Sequence, residues 1–134
     1  MIKNMKKTIN NFLIINCIGE DDKLGLGINK DFFVHNCISK KKNNENLVSE
    51  ILNFLKKHNV ILDQNFSVIV NQGPGSFSGI RISLAIAKGL EISKNVKFFG
   101  YNNKDLKTFD QENIEKLLSQ NLIEKKLIKP IYLS

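Results

Sequence analysis

The chain has 134 residues, of which 42% are hydrophobic and only 2 are proline. This length and composition suit one globular domain with a core of its own and leave little room for two. The formal net charge of +7 rests on lysine, because Arg81 is the one arginine in the sequence. Positive charge favours a polyanionic partner such as RNA, but Lys, Asn and Ile are abundant throughout and no aromatic-interleaved basic platform accompanies them. The charge alone is therefore weak support for nucleic-acid binding.

The sequence offers little evidence of a metal site, a disulfide bond or a membrane-spanning segment. Cys17 and Cys37 lie in apolar, strand-like stretches, which favours buried free thiols in a reducing cytosol; a disulfide would require the strands to place them opposite each other. His35 and His58 belong to no ligand pattern, so we expect no metal and no cofactor, and we expect His35 to serve packing or the surface. No apolar run is long enough for a signal peptide or a membrane span. We expect a cytoplasmic protein.

The N-terminal third has the pattern of a β-meander. Residues 1–11 are basic and polar and are expected to be flexible, whereas residues 12–17 form a continuous apolar run that is typical of a central strand covered on both faces. Residues 23–28 alternate with period two, and residues 32–38 return as a second strand after the turn at 29–31.

Two helices and two further strands follow. The first helix is expected to begin with Asn43 or Asn44 as its cap and to end at Lys56 and Lys57, whose charges suit a helix C-terminus. The remaining predicted elements are a strand at 66–70, a helix at 77–93, a strand at 96–100 and a weakly amphipathic helix at 111–121.

A glycine-rich turn joins the buried strand at 66–70 to the second helix. Gly73-Pro74-Gly75 forces the backbone to reverse, and Ser76 or Ser78 can cap the helix that follows. Amides at such a corner can bind a phosphate or a carboxylate. The turn matches neither a Walker A loop nor a dinucleotide fingerprint, and a sharp corner that binds nothing is the simpler interpretation.

The same stretch resembles the signature of the bacterial TsaB family, GPGSFTG[LIV]R followed by A-x-A-[KQ]-G-L. The matching sequence is Gly-Pro-Gly-Ser-Phe-Ser-Gly-Ile-Arg at 73–81, followed by Ala-Ile-Ala-Lys-Gly-Leu at 85–90. The motif residues are Gly73, Pro74, Gly75, Ser76, Phe77, Ser78, Gly79 and Arg81, and only Ser78 departs from the pattern, with its hydroxyl kept. The resemblance covers residues 12–106 and the Pro-x-Tyr-Leu-like end of the chain, while the second lobe of the family is missing.

The order of the elements predicts an α/β fold. A mixed five-stranded sheet is expected to carry two main helices on one face, plus a short C-terminal helix, which is half of an actin-like/ribonuclease-H-like fold. We divide the chain into a flexible segment at 1–11, a TsaB-like N-terminal lobe at 12–106, and a C-terminal helix and tail at 107–134.

The resemblance implies a non-catalytic scaffold subunit of the machinery that forms threonylcarbamoyladenosine beside the anticodon of tRNA. Such subunits pair through their two helices with TsaD, the ATPase TsaE completes the assembly, and tRNA is met through the complex. Asn16 stands where the family keeps a carboxylate, which argues against ATP chemistry here. We expect the partner surface, or its support, to include Leu47, Ile51, Leu84, Ala87 and Lys88. Core packing is an equal alternative for its apolar members.

The motif residues have expected roles of their own, and the chain has alternative functions without a partner. The resemblance suggests that Arg81 orients the motif, and we assign Gly73, Gly75 and Gly79 to turn geometry. Without its partner, the chain could homodimerise through the same two helices. Two further classes stay open: an independent nucleotide- or RNA-binding module, and a glycoprotease-like enzyme with Ser76 or Ser78 as nucleophile, although no His and Asp are positioned by sequence to activate either.

Overall fold

The computed structural model describes residues 9–19, 21–37, 44–75, 77–120, 123–124 and 128–131. In chain order, the elements are β1 (Phe12–Asn16), β2 (Lys23–Ile28), β3 (Asp31–Asn36), α1 (Asn44–Lys57), β4 (Ser67–Asn71), α2 (Phe77–Lys94), β5 (Lys97–Tyr101), α3 (Gln111–Ser119) and β6 (Ile123–Glu124). The strands form one mixed sheet in the order β3-β2-β1-β4-β5-β6. The predicted α/β fold is confirmed, and the two-residue β6 adds a sixth strand at one edge.

The N-terminal meander forms as the alternating pattern predicts. β1 pairs antiparallel with β2, and β2 pairs antiparallel with β3. The two residues between β2 and β3, Asn29 and Lys30, both have positive φ, at 50° and 73°. Two such residues in a two-residue loop make a type I′ turn, whose twist matches that of the flanking strands. This turn sets Ile28 opposite Asp31 and fixes the register of the hairpin.

Parallel strands make the centre of the sheet. β1 pairs in parallel with β4, and β4 pairs in parallel with β5. Each parallel pair needs a crossover, and the right-handed rule puts the two crossover helices on one face. Leu13 and Ile15 of β1 share a buried core with residues of both α1 and α2.

The other face of the sheet is covered by α3. Phe12 and Ile14 of β1 point to this side because side chains alternate along a strand, and they share a second core with Ile114 and Leu117 of α3. Asp110 caps α3 by accepting a hydrogen bond from the Asn113 amide at 2.8 Å, and this bond holds the pKa of the Asp110 carboxyl below its usual value. β1 is therefore covered on both faces, as expected of a central strand.

Element boundaries differ from the prediction by one or two residues. β4 and β5 each lie one position later than expected, because Asn71 pairs with Tyr101 and extends the ladder. β1 stops at Asn16 rather than Cys17, and α3 stops at Ser119. Asn43, the alternative cap of α1, lies outside the described residues, as do residues 1–8 of the predicted flexible segment. The division at 12–106 and 107–134 stays a prediction.

Candidate functional site

A shallow apolar groove lies between α1 and α2. Its volume is about 630 Å³. Most of its lining is aliphatic, and the lining includes Val48, Leu52, Ala85, Ile86, Gly89 and Leu90. Leu52 is 48% exposed although it is a large aliphatic residue. We call this feature the helix groove; contiguous exposed apolar surface of this kind marks interaction sites on otherwise soluble domains.

The small residues of α2 keep the groove open. A Cβ added at Gly89 would meet no atom within 4 Å, so the helix backbone is bare at this point. Ala85 lies one turn earlier on the same side and is also exposed. A second helix can approach closely where the side chains of the first are this short.

Four of the predicted partner residues lie beneath the groove rather than on its surface. Leu47, Ile51, Leu84 and Ala87 are at most 9% exposed and pack in the core against the sheet. This burial favours the supporting role that the sequence analysis gave as an alternative to direct contact, and their part in binding a partner stays a prediction. Their neighbours in sequence, Val48, Leu52, Ala85 and Ile86, line the groove.

The charged residues of α2 lie at the surface. Lys88 is exposed, does not line the groove, and pairs with Glu91 one turn later at 2.8 Å. Arg81 is exposed and lines the groove. The proposed role of Arg81 in orienting the glycine motif stays a prediction.

The glycine turn depends on close contacts between segments that are distant in sequence. Gly73 has φ of 99°, a left-handed conformation that favours glycine. A Cβ at Gly75 would lie 2.7 Å from Cβ of Ile18, and a Cβ at Gly79 would lie 2.5 Å from the carbonyl oxygen of Cys17. The start of α2 is thus pressed against the loop that follows β1, which only glycine permits.

One of the two predicted capping serines, Ser78, lies inside the helix. Ser78 lies within the first turn of α2, which begins at Phe77, so Ser78 is not the N-cap. Ser76 and the side chain of Phe77 lie outside the described residues.

An amide cluster lies at the carboxyl ends of the parallel strands β1, β4 and β5. The side-chain amide of Asn71 donates to Oδ1 of Asn16 at 2.6 Å and to Oδ1 of Asn103 at 3.0 Å, and Oδ1 of Asn71 accepts from the Gly73 amide at 2.8 Å. The Tyr101 hydroxyl donates to Oδ1 of Asn16 at 3.5 Å, the long limit of a hydrogen bond. The cluster ties the strand ends to the glycine turn.

This cluster is neutral. Full burial raises the pKa of the Tyr101 hydroxyl well above its usual value, so the phenol stays protonated. Open α/β sheets commonly bind ligands at the carboxyl ends of their strands, but here the amide oxygens accept hydrogen bonds from the protein itself. Sequence patterns identified Asn16 by resemblance and missed Asn71 and Asn103, because no local motif joins the ends of separate strands.

A short C-terminal segment crosses the same edge of the sheet. Nε2 of Gln72 donates to the Lys129 carbonyl at 2.9 Å, and the Ile131 amide donates to the Gln72 carbonyl at 2.8 Å. A Cβ at Gly100 would lie 2.7 Å from Cγ2 of Ile128, so this segment also sits directly on β5. Residues 128–131 therefore cover the ends of β4 and β5.

The described cysteines and histidines make contacts within the fold. Both thiols are free, and contact with the Cys37 thiol together with burial raises the pKa of Cys17. Nε2 of His35 lies 3.0 Å from Glu50, and the ring of His58 stacks on Phe33 at 4.2 Å. Within the described ranges, no group of three His, Cys, Asp or Glu is placed to hold a metal ion. Among the helices described, none is long and apolar enough to cross a membrane.

These features define an α/β chain of the actin-like/ribonuclease-H-like class with an exposed helix pair. The family model described as "TsaD: tRNA N6-adenosine threonylcarbamoyltransferase" matches residues 34–108, which is more than half of the chain. The chain belongs to this family.

Named relatives are of the TsaB type. The chain is 42% identical over 50 residues to the tRNA threonylcarbamoyladenosine biosynthesis protein TsaB of Buchnera aphidicola subsp. Baizongia pistaciae (strain Bp), covering 37% of this chain and 23% of the relative. YeaZ from Pseudomonas aeruginosa has a similar fold, with a TM-score of 0.62 and 19% identity over 72% of this chain and 45% of that one. A second Pseudomonas aeruginosa structure, titled as similar to peptidase YEAZ, gives a TM-score of 0.62 and 19% identity, and 44% of it is covered.

The predicted resemblance to the TsaB family is confirmed by these comparisons. The matched parts span less than half the length of each of these relatives. The similar structures establish the fold, and the activities and partners of the longer proteins are matters of proposal for this chain.

Proposed function

We propose that this chain is a non-catalytic subunit of the tRNA threonylcarbamoyladenosine machinery and that it pairs with a TsaD-like subunit through the helix groove. The observation that carries this proposal is the exposed apolar lining of the groove, with Leu52 at 48% exposure beside Ala85 and the bare backbone of Gly89. A helix pair of the partner would bury this lining and complete a four-helix arrangement.

The neutral amide cluster at the carboxyl ends of the parallel strands supports a scaffold role. Asn16 replaces the family's carboxylate, and its oxygen accepts a hydrogen bond from Asn71. A neutral amide in this place cannot act as a general base. We further propose that a TsaE-like ATPase joins the assembly. The complex, and not this chain alone, would bind tRNA in the cytoplasm.

The test is co-expression with the TsaD-like subunit of the same cell, followed by size-exclusion chromatography. Ala85→Arg should lower the affinity by roughly tenfold or more, because it inserts a charged side chain into the centre of an apolar contact. Gln111→Arg is the matched control: it adds the same charge at an exposed position on α3, across the sheet.

Two results would contradict the proposal. One is full retention of the complex by Ala85→Arg, and the other is equal loss with Gln111→Arg. Circular dichroism of each variant ensures that loss of binding is not loss of the fold.

A further inference from the structure

β3 is an edge strand of the described sheet. Among the described residues, β2 is its only strand neighbour. Phe32, Phe33 and Val34 follow one another along it, and Val34 is 45% exposed. Natural edge strands are blunted by lysine, proline, a bulge or a covering segment, and the run from Phe32 to His35 contains neither residue type. An apolar edge of this kind is suited to pairing with another strand.

The hairpin turn fixes which groups of β3 point outward. Ile28 and Asp31 flank the two-residue type I′ turn, so they form a hydrogen-bonded pair, and the backbone of Phe33 also points toward β2. The alternate residues, Phe32 and Val34, therefore direct their main-chain N–H and C=O groups away from the sheet. These groups can form the ladder with an added strand.

Two copies of β3 have complementary side chains in one antiparallel register. In an antiparallel pair of two β3 strands centred on Phe33, the two Phe33 rings lie opposite each other on the α1 side. Asp31 of each copy then faces His35 of the other, and Phe32 faces Val34 on the α3 side. A pair of aromatic residues and a pair of an aromatic with a β-branched residue are both favourable cross-strand neighbours.

A cavity beside this edge can receive side chains of the added strand. It has a volume of about 580 Å³, lies between β3 and α1, and is lined by residues that include Phe33, His35, Phe54 and His58. Phe33 is half-buried and stacks on His58 at 4.2 Å. Nε2 of His35 lies 3.0 Å from Oε1 of Glu50 at the wall of this cavity. The cavity thus adds aromatic surface next to the strand edge.

We infer that β3 is a self-association edge, through which two copies of this chain pair antiparallel around Phe33 and join their sheets. This contact differs from the helix-mediated homodimer considered from the sequence. It leaves the helix groove uncovered, so the pairing is independent of the proposed role in tRNA modification.

The first experiment locates the contact by cross-linking. Phe33→Cys is incubated with oxidised glutathione, which is reduced as the two thiols join. Non-hydrogen-bonded antiparallel pairs have Cα atoms about 4.5 Å apart, within disulfide range, so covalent dimer should form. Val34→Cys should give roughly fivefold less, because it faces position 32 of the other copy. The unmodified chain controls for Cys17 and Cys37.

The second experiment removes one outward donor without touching the β2 ladder. Val34→Pro should convert the dimer to monomer in sedimentation velocity at about 100 µM chain, a concentration suited to a small interface. Val34→Thr keeps the N–H and should remain dimeric, as should Ala85→Arg. The inference is overturned if the unmodified chain is monomeric, if Val34→Cys cross-links as well as Phe33→Cys, or if Ala85→Arg rather than Val34→Pro dissolves the dimer.

Discussion

At the scale of single residues, two glycines of α2 have opposite surroundings. Gly79 faces the Cys17 carbonyl oxygen, 2.5 Å from where a Cβ would lie, whereas Gly89 faces open space. Gly79→Ala should therefore lower the free energy of unfolding by about 1–3 kcal/mol, because backbone must move. Gly89→Ala should raise it by about 0.5–1 kcal/mol through helix propensity. Urea denaturation measures both, and a shift of the same sign in the two variants would contradict this explanation.

For the glycine motif, the sequence predicts the turn but not the close contacts that the glycines make. The corner itself was predictable, and Gly73 has the positive φ that a sharp reversal suggests. Gly75 and Gly79 are required for a different reason, since each lies against the loop after β1, more than 50 residues away in the chain. Such an approach is a property of the assembled sheet and has no local signature.

At the scale of elements, the sequence identified the strands and helices by their periodicity but could not orient the broad helix stripes. Leu47, Ile51, Leu84 and Ala87 face the sheet, while Val48, Leu52, Ala85 and Ile86 line the groove. Each buried residue is adjacent in sequence to an apolar groove residue. When both sides of a helix are apolar, residue type does not distinguish the core side from the docking side.

A pair of substitutions on α2 tests this assignment. Ala87→Arg should lower the free energy of unfolding by more than about 3 kcal/mol, because it forces a guanidinium into a fully buried site. Ala85→Arg should change it by less than about 1 kcal/mol, since position 85 is exposed. Thermal unfolding followed by circular dichroism compares the two. Equal destabilisation would mean that the two sides of α2 are assigned wrongly.

At the scale of the whole molecule, one buried residue helps to hold the C-terminal segment against the sheet. Gln72 is 5% exposed and holds residues 128–131 through its amide and its main-chain carbonyl. Gln72→Ala should cost about 1–3 kcal/mol of unfolding free energy, because the side-chain bond is lost from a buried position. Gln111→Ala, at an exposed site, should cost less than about 0.5 kcal/mol. Guanidinium titration gives both values, and equal effects would show that the side-chain bond of Gln72 to the segment contributes nothing to stability.

The topology of the sheet was more predictable than what covers it. Short parallel strands separated by helices allow few arrangements, and the crossover rule selects among them. The face chosen by α3 and the path of residues 128–131 depend on side-chain fit at Ile114, Leu117 and Gln72. These contacts join segments that no periodicity connects, so they emerged only with the structure.

The central position of β1 has a consequence for biosynthesis. One neighbour, β2, follows within the same meander, but the other, β4, is encoded 55 residues downstream of its partner positions. Until β4 has emerged from the ribosome, the nascent meander has an open edge on β1 as well as on β3. Long-range parallel pairing is slow and leaves such edges exposed to misassembly. The rate of translation between β3 and β4 therefore determines how long the nascent chain is exposed to misassembly.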